Sequence, residues 1–185
     1  RFDSLPFPTQ GMAGTLELGS GVSLGAEREP YTRWLARGMY LLPLGRESGR
    51  LAIRAEAGSV ISRDTSGLPT TQLFVAGGDN SVRGYALSSI GVTQSNGAIA
   101  PGRYISTGSI EWQRPIRWDQ QHTDWESAVF VDAGAVADQM SQLKAQIGYG
   151  VGARWRSPIG PLRMDLAYGQ AVHKLRLHLS VGFVF

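Results

Sequence analysis

Cysteine is absent from the 185 residues. That excludes a disulfide framework, a thiol nucleophile and a thiolate metal site. The three histidines, His122, His173 and His178, lack the spacing of a ligand set, so neither a metal nor a cofactor is expected. No apolar run approaches the roughly eighteen residues of a transmembrane helix. Charge of one sign is scarce too: the net charge is +3 and the basic residues are scattered, which excludes a nucleic-acid footprint. Helical periodicity is hard to find anywhere. The chain starts at Arg1 and has no signal peptide, and is read as a processed or excised piece.

What the chain does have is glycine (24), aromatic residues, and alternation. After an extended lead-in containing Pro6 and Pro8, apolar and polar residues alternate over segments at about 11–20, 31–42, 50–62, 103–114, 124–134, 144–156, 161–169 and 174–185. The last is typical: Leu175, Leu177, Leu179, Val181, Phe183 and Phe185 fall on one face, and Lys174, Arg176, His178 and Ser180 on the other. Each segment reads as a strand with one apolar and one polar face. A soluble sandwich and a membrane barrel both fit such a pattern. The barrel is favoured because the polar faces carry charges of both signs, the apolar faces carry none in mid-strand, and Tyr or Trp recurs at segment ends (Trp34, Tyr40, Tyr104, Trp112, Trp125, Trp155, Tyr168). Aromatic girdles at the two interfaces produce that distribution. In lipid every backbone group needs a partner, so such strands must close into a barrel. Links of about 7, 9 and 4 residues after the second, fourth and sixth strands alternate with longer ones, the short-turn and long-loop asymmetry of outer-membrane barrels.

One connection stands apart. Residues 63–102 have no steady hydrophobic period, yet they hold Leu73, Phe74, Val75 and Tyr85, and the run Gly77, Gly78, Asp79, Asn80, Ser81, Val82, Arg83, Gly84, Tyr85. Loops of this length in compact domains are either functional or disordered. The apolar content argues for a folded-in loop whose Arg83 docks on carboxylates, since an unpaired buried charge is costly. An ordinary surface turn with a solvated arginine remains the alternative on these residues alone.

Phe74 to Tyr85 closely resembles the signature loop of the BamA/TamA superfamily of outer-membrane assembly proteins. Ser106 to Glu111 looks like that family's next strand. Phe130-Val131-Asp132-Ala133-Gly134 is similar to its Phe-x-Asp-x-Gly strand, and Val151 to Pro161 to its Ser-Pro-x-Gly-Pro hairpin. Gly182-Phe183-Val184-Phe185 resembles the aromatic signal read during barrel insertion. The flavour is nearest the TamA-like branch. The resemblance implies an all-β, antiparallel transmembrane barrel, with these eight strands the second half of sixteen. The first half and the periplasmic POTRA domains then lie outside residues 1–185. It implies an insertase or translocation factor of a Gram-negative outer membrane, not an enzyme. Its partners would be outer-membrane lipid, client barrel or autotransporter proteins, and a periplasmic or inner-membrane assembly partner.

The resemblance also implies that the loop folds into the lumen and that Arg83 reaches Glu111 and Asp132, with Phe130 beside them as an anchor. Strand parity places Glu111 and Asp132 on the polar side independently. A catalytic carboxylate pair is the weaker reading, because an arginine demands these acceptors. Gly148, Gly150 and Gly152 lie mid-strand with no helix after them, so they do not form a nucleotide loop; they are expected to clear lumen space. In the family model the seam between first and last strands templates incoming strands, and Gly182 is a candidate weak point or, equally, a barrel bend. Two other functions stay open: a two-partner secretion pore of the same superfamily, and a small closed structural barrel or adhesin.

Overall fold

The computed structural model describes residues 1–5, 7–23, 28–63, 68–119, 121–158 and 160–182. Strands β1 (Gly11–Val22), β2 (Pro30–Gly45) and β3 (Gly49–Ser62) form a meander. The long connection follows, holding among its described residues one 3-10 turn (Thr70–Gln72) and the two-residue strands β4 (Val92–Thr93) and β5 (Ile99–Ala100). The meander resumes with β6 (Tyr104–Trp118), β7 (Gln121–Ala137), β8 (Gln146–Ser157), β9 (Gly160–Gly169) and β10 (Lys174–Val181). The eight long strands make one antiparallel sheet in the order β1-β2-β3-β6-β7-β8-β9-β10. β1 and β10 are its edges, and no ladder joins them among the described residues. No helix among the described residues is long and apolar enough to cross a membrane.

The short links are shorter than composition predicts. Pro43-Leu44-Gly45 reads as turn, yet β2 runs to Gly45 and meets Gly49 directly across from it, absorbing the irregularity as a register shift between Pro43 and Gly45. A second shift lies between Pro115 and Arg117, where β6 and β7 stay paired out to Trp118 and Gln121. A bulge lets a ladder pass a residue that cannot donate, so turn-forming residues do not stop the pairing. The lead-in is not extended either. Phe2 bridges Gly11, and the Asp3 carboxylate accepts from the Thr9 and Gln10 N–H groups at 2.9 and 3.1 Å, drawing residues 1–10 into a loop against the start of β1. The Thr9 hydroxyl, then the Gln10 amide, hold that carboxyl down at about 2. Pro6 lies outside the described residues.

Period-two alternation becomes two faces. Leu18, Ile110, Val131, Val151, Leu166 and Leu179 all point outward and are exposed. A continuous apolar surface of this kind far exceeds what a water-soluble monomer shows, and it suits lipid. Trp125 and Trp155 sit opposite each other in the β7–β8 ladder with rings stacked at 5.6 Å. Tyr149 and Tyr168 form a pair at 5.6 Å nearer the long-loop end.

The inner face is not uniformly polar, as strand parity alone predicts. Leu35, Val60, Ile105 and Val136 project inward from β2, β3, β6 and β7 and form a core with Leu68, Phe74, Ala76, Val82, Tyr85 and Ile90 of the long connection. The connection brings its own apolar side chains to the wall, so water leaves that part of the inner face. Ladder-like bonds tie it down: Phe74 pairs with Gly102, Ala76 with Ile90, and the Val60 N–H donates to Arg103 O at 2.8 Å. Arg33 covers the Phe74 ring at 4.8 Å.

Candidate functional site

The loop tip is built to deliver one guanidinium. The Gly77 N–H donates to Ser81 Oγ at 2.8 Å and the Gly78 N–H to Val82 O at 3.2 Å, closing a compact turn over Asp79 and Asn80. Asp79 is half-buried at that turn and makes no ion pair among the described residues. Val82 enters the apolar core. Gly84 adopts φ +90°, and a Cβ there would stand 2.6 Å from the Gly169 backbone nitrogen on β9. Only glycine meets both demands. Tyr85 then turns back into the core, and its hydroxyl donates to Ile147 O at 3.2 Å and accepts from the Ala171 N–H at 3.1 Å.

Between these anchors Arg83 is 2 % exposed. Its Nε and one terminal nitrogen donate to Asp132 Oδ2 and Oδ1 at 2.8 and 2.9 Å, a bidentate fork. The other terminal nitrogen donates to Glu111 Oε2 at 2.6 Å and Asp165 Oδ2 at 3.1 Å. Ser109 Oγ accepts at 3.3 Å. All five N–H groups of the guanidinium therefore have an acceptor. The Arg83 backbone N–H also donates to Asp132, at 3.0 Å, and the plane lies 3.4 Å above the Phe130 ring. Burial disfavours the Arg83 charge; the bond to Asp132 and the Glu111, Asp132 and Asp165 charges outweigh that, holding its pKa above the ordinary arginine range.

A second arginine closes the network. Arg154 donates Nε and a terminal nitrogen to Glu111 at 3.0 and 2.8 Å, and its other terminal nitrogen to Asp165 Oδ1 at 2.6 Å. Glu111 and Asp165 thus each bridge two guanidiniums, and charge alternates around a ring. Gln113 and Ser109 fill remaining acceptor positions on Glu111 and Asp132, at 2.6 and 2.7 Å. A separate cluster at the short-turn end joins Arg50 and Arg156 to the buried Glu126. In the open lumen beside the loop, a space of about 570 Å³ borders Thr15, Arg37, Arg54, Glu56, Asn80 and Ser109.

The structure brings Arg83, Glu111, Phe130 and Asp132 together, along with the loop glycines and Tyr85. It adds Asp165, Arg154, Ser109 and His178, which sequence reading placed on polar faces but gave no part in the cluster. Inward parity was their signal, but parity does not say which inward groups meet. Gly148, Gly150 and Gly152 divide their work. A Cβ at Gly148 would stand 1.9 Å from Arg83 O, at Gly150 2.7 Å from the Phe130 ring, and at Gly152 1.9 Å from Asp165 Oδ1. Gly182 lies just beyond β10 at φ +101°, with its N–H donating to Pro161 O at 2.9 Å, so it bends the chain after the strand. Phe183 and Phe185 lie outside the described residues. Tyr85→Phe removes the hydroxyl that joins Ile147 to Ala171. In the full-length protein it is expected to cost about 1–2 kcal/mol, read as a lower urea midpoint on heat-modifiable gels.

The chain resembles known proteins in fold and in sequence. Over 98 % of this chain, and 40 % of the other, the fold matches the crystal structure of BamA from Haemophilus ducreyi lacking POTRA domains 1-3, with a TM-score of 0.66 and 24 % identity. Outer envelope protein 80, chloroplastic, from Arabidopsis thaliana is 34 % identical over 122 residues, 60 % of this chain and 15 % of that protein. The chain thus spans well under half the length of each. The family model described as the Omp85 superfamily domain matches residues 1–185. With its apolar outer strand faces and a loop packed on the inner face, this outer-membrane β-barrel chain belongs to the Omp85 superfamily.

Proposed function

We propose that this chain is the C-terminal barrel region of a factor that inserts or translocates other outer-membrane or autotransporter proteins, in the TamA-like branch and in a bacterial outer membrane. The observation that carries this reading is the buried Arg83 ring. A loop of this length is held inside the lumen by charge pairs that open water would weaken. In this reading Arg83, Glu111 and Asp132 are a latch, aided by Phe130, that fixes the loop against β6–β9; the run from Gly77 to Tyr85 is the motif that presents it. The open edges of β1 and β10 support residues 1–185 as the second half of a sixteen-stranded barrel, preceded by a first half and POTRA domains. Gly182, Phe183 and Phe185 would form the insertion signal and one side of the seam. An exposed β10 edge offers unpaired backbone groups to an incoming strand.

Reconstitution tests the reading. Full-length protein in lipid vesicles is expected to speed the folding of a urea-unfolded outer-membrane barrel, followed by heat-modifiable mobility, relative to empty vesicles. Equal folding rates in both, with the protein itself folded, would overturn it.

A further inference from the structure

One contact runs from the loop to the last strand rather than to the middle of the wall. The Gly84 N–H donates to His178 Nε2 at 3.0 Å. His178 sits in β10 opposite Asp165 of β9, and Asp165 is itself a member of the Arg83 ring. Among the described residues β10 has a neighbour on one side only, so this bond is a lateral restraint on an edge strand. Its neighbour in sequence is equally placed: the Gly84 carbonyl would meet a Cβ on Gly169 at 2.6 Å, and Tyr85 holds the Ala171 N–H in the β9–β10 turn. The tip of the loop thus grips β9, the β9–β10 turn and β10 within two residues.

We propose that His178 is a positioning residue that couples the lumenal loop to the edge strand β10, so that the loop's seat and the order of β10 change together. The proposal rests on the insertase reading for its meaning, but not for its geometry. The chemistry is specific. A neutral imidazole with its proton on Nδ1 accepts at Nε2, and a protonated one has no acceptor to offer. The charged groups that act on this imidazole include Asp79 and Arg83 of the loop, Asp165 of β9 and Arg176 of β10. A glutamine side chain keeps an acceptor oxygen without titrating; alanine has none.

Hydrogen exchange read by mass spectrometry on the full-length protein in lipid tests the coupling. At pH about 8, His178→Ala is expected to raise exchange about fivefold both in peptides covering 82–86 and in those covering 174–181, the loss of one ordinary hydrogen bond. His178→Gln is expected to match the wild type. At pH about 5 the wild type is expected to exchange faster than His178→Gln in both regions, since only the imidazole loses its acceptor. The glutamine variant serves as the pH control, with the amides of 178 and 179, whose intrinsic rates the substitution changes, corrected for sequence. A rise in one region without the other, equal behaviour of the alanine and glutamine variants, or a wild type that tracks glutamine at both pH values would overturn the coupling. Where His178→Ala fails to fold, the glutamine and pH comparison still decides. Because no client protein is present, failure here leaves the vesicle assay untouched, and failure of that assay leaves this one untouched.

Discussion

Arg83→Ala, made in the full-length protein, is expected to unseat the loop and lower barrel stability by about 3–5 kcal/mol. The cost comes from what is left behind. Asp132, at 0 % exposure, keeps only the residue-83 N–H and the Ser109 hydroxyl, and Glu111 and Asp165 must share Arg154. Asp132 then has no guanidinium at contact distance, and Glu111 and Asp165 have one between them, in a poorly solvated place. Arg83→Lys is expected to restore only part, because an ammonium has three donors rather than five and cannot lie flat at 3.4 Å over Phe130. Urea unfolding and cleavage of the loop by a broad-specificity protease both read the effect. An unchanged midpoint with an equally protected loop would show that the apolar core alone seats it. Salt separates this network from ordinary surface pairs. The Arg83 ring is expected to be insensitive to it, whereas the half-exposed Arg37–Glu17 pair is expected to weaken.

Gly148→Ala should have a comparable effect from the opposite wall. A methyl there would stand 1.9 Å from the Arg83 carbonyl oxygen, and that carbonyl cannot retreat while the same residue is pinned to Asp132 through both its N–H and its guanidinium. Either the loop lifts off β8 or β8 bows outward. A destabilisation of about 3 kcal/mol, the upper end for overpacking, is expected. Gly19→Ala is the control: nothing lies within 4 Å of its added Cβ, so a change within about 0.5 kcal/mol is expected. Combining Gly148→Ala with Arg83→Ala should cost less than the sum of the two, since a loop already released no longer meets the methyl. Strict additivity would mean that Gly148 is needed for the sheet and not for the loop.

Both predictions act on one arrangement: a loop seated by charge and by close backbone approach within the same few residues. Such a seat is strong while complete and weakens sharply when one part is lost. A half-docked loop would leave charges buried without partners.

Much of this was legible in the chain itself. Alternation with a period of two marked every long strand, because a strand between lipid and lumen must sort its side chains by face. The same parity turned Glu111, Asp132, Arg154 and Asp165 inward. The loop announced itself by losing the period while keeping its apolar residues. Strand ends were less legible: Pro43 and Pro115 look like stops, but pairing continues past each through a shift in register.

Which inward groups meet was decided only by the tertiary structure. Sheet stagger brings Asp165, 82 residues from Arg83 in sequence, to 3.1 Å from its guanidinium, and sets Arg154 between Glu111 and Asp165. Stagger is a sum of registers over many ladders, and no single segment encodes it. The apolar lining around Leu35, Val60, Ile105 and Val136 is likewise invisible to parity, because only the arrival of the loop removes water from that part of the lumen. The sequence by itself determined which side of each strand faces lipid. The assembled sheet decided which lumenal charges become partners, since partnership depends on distances across strands that lie far apart along the chain.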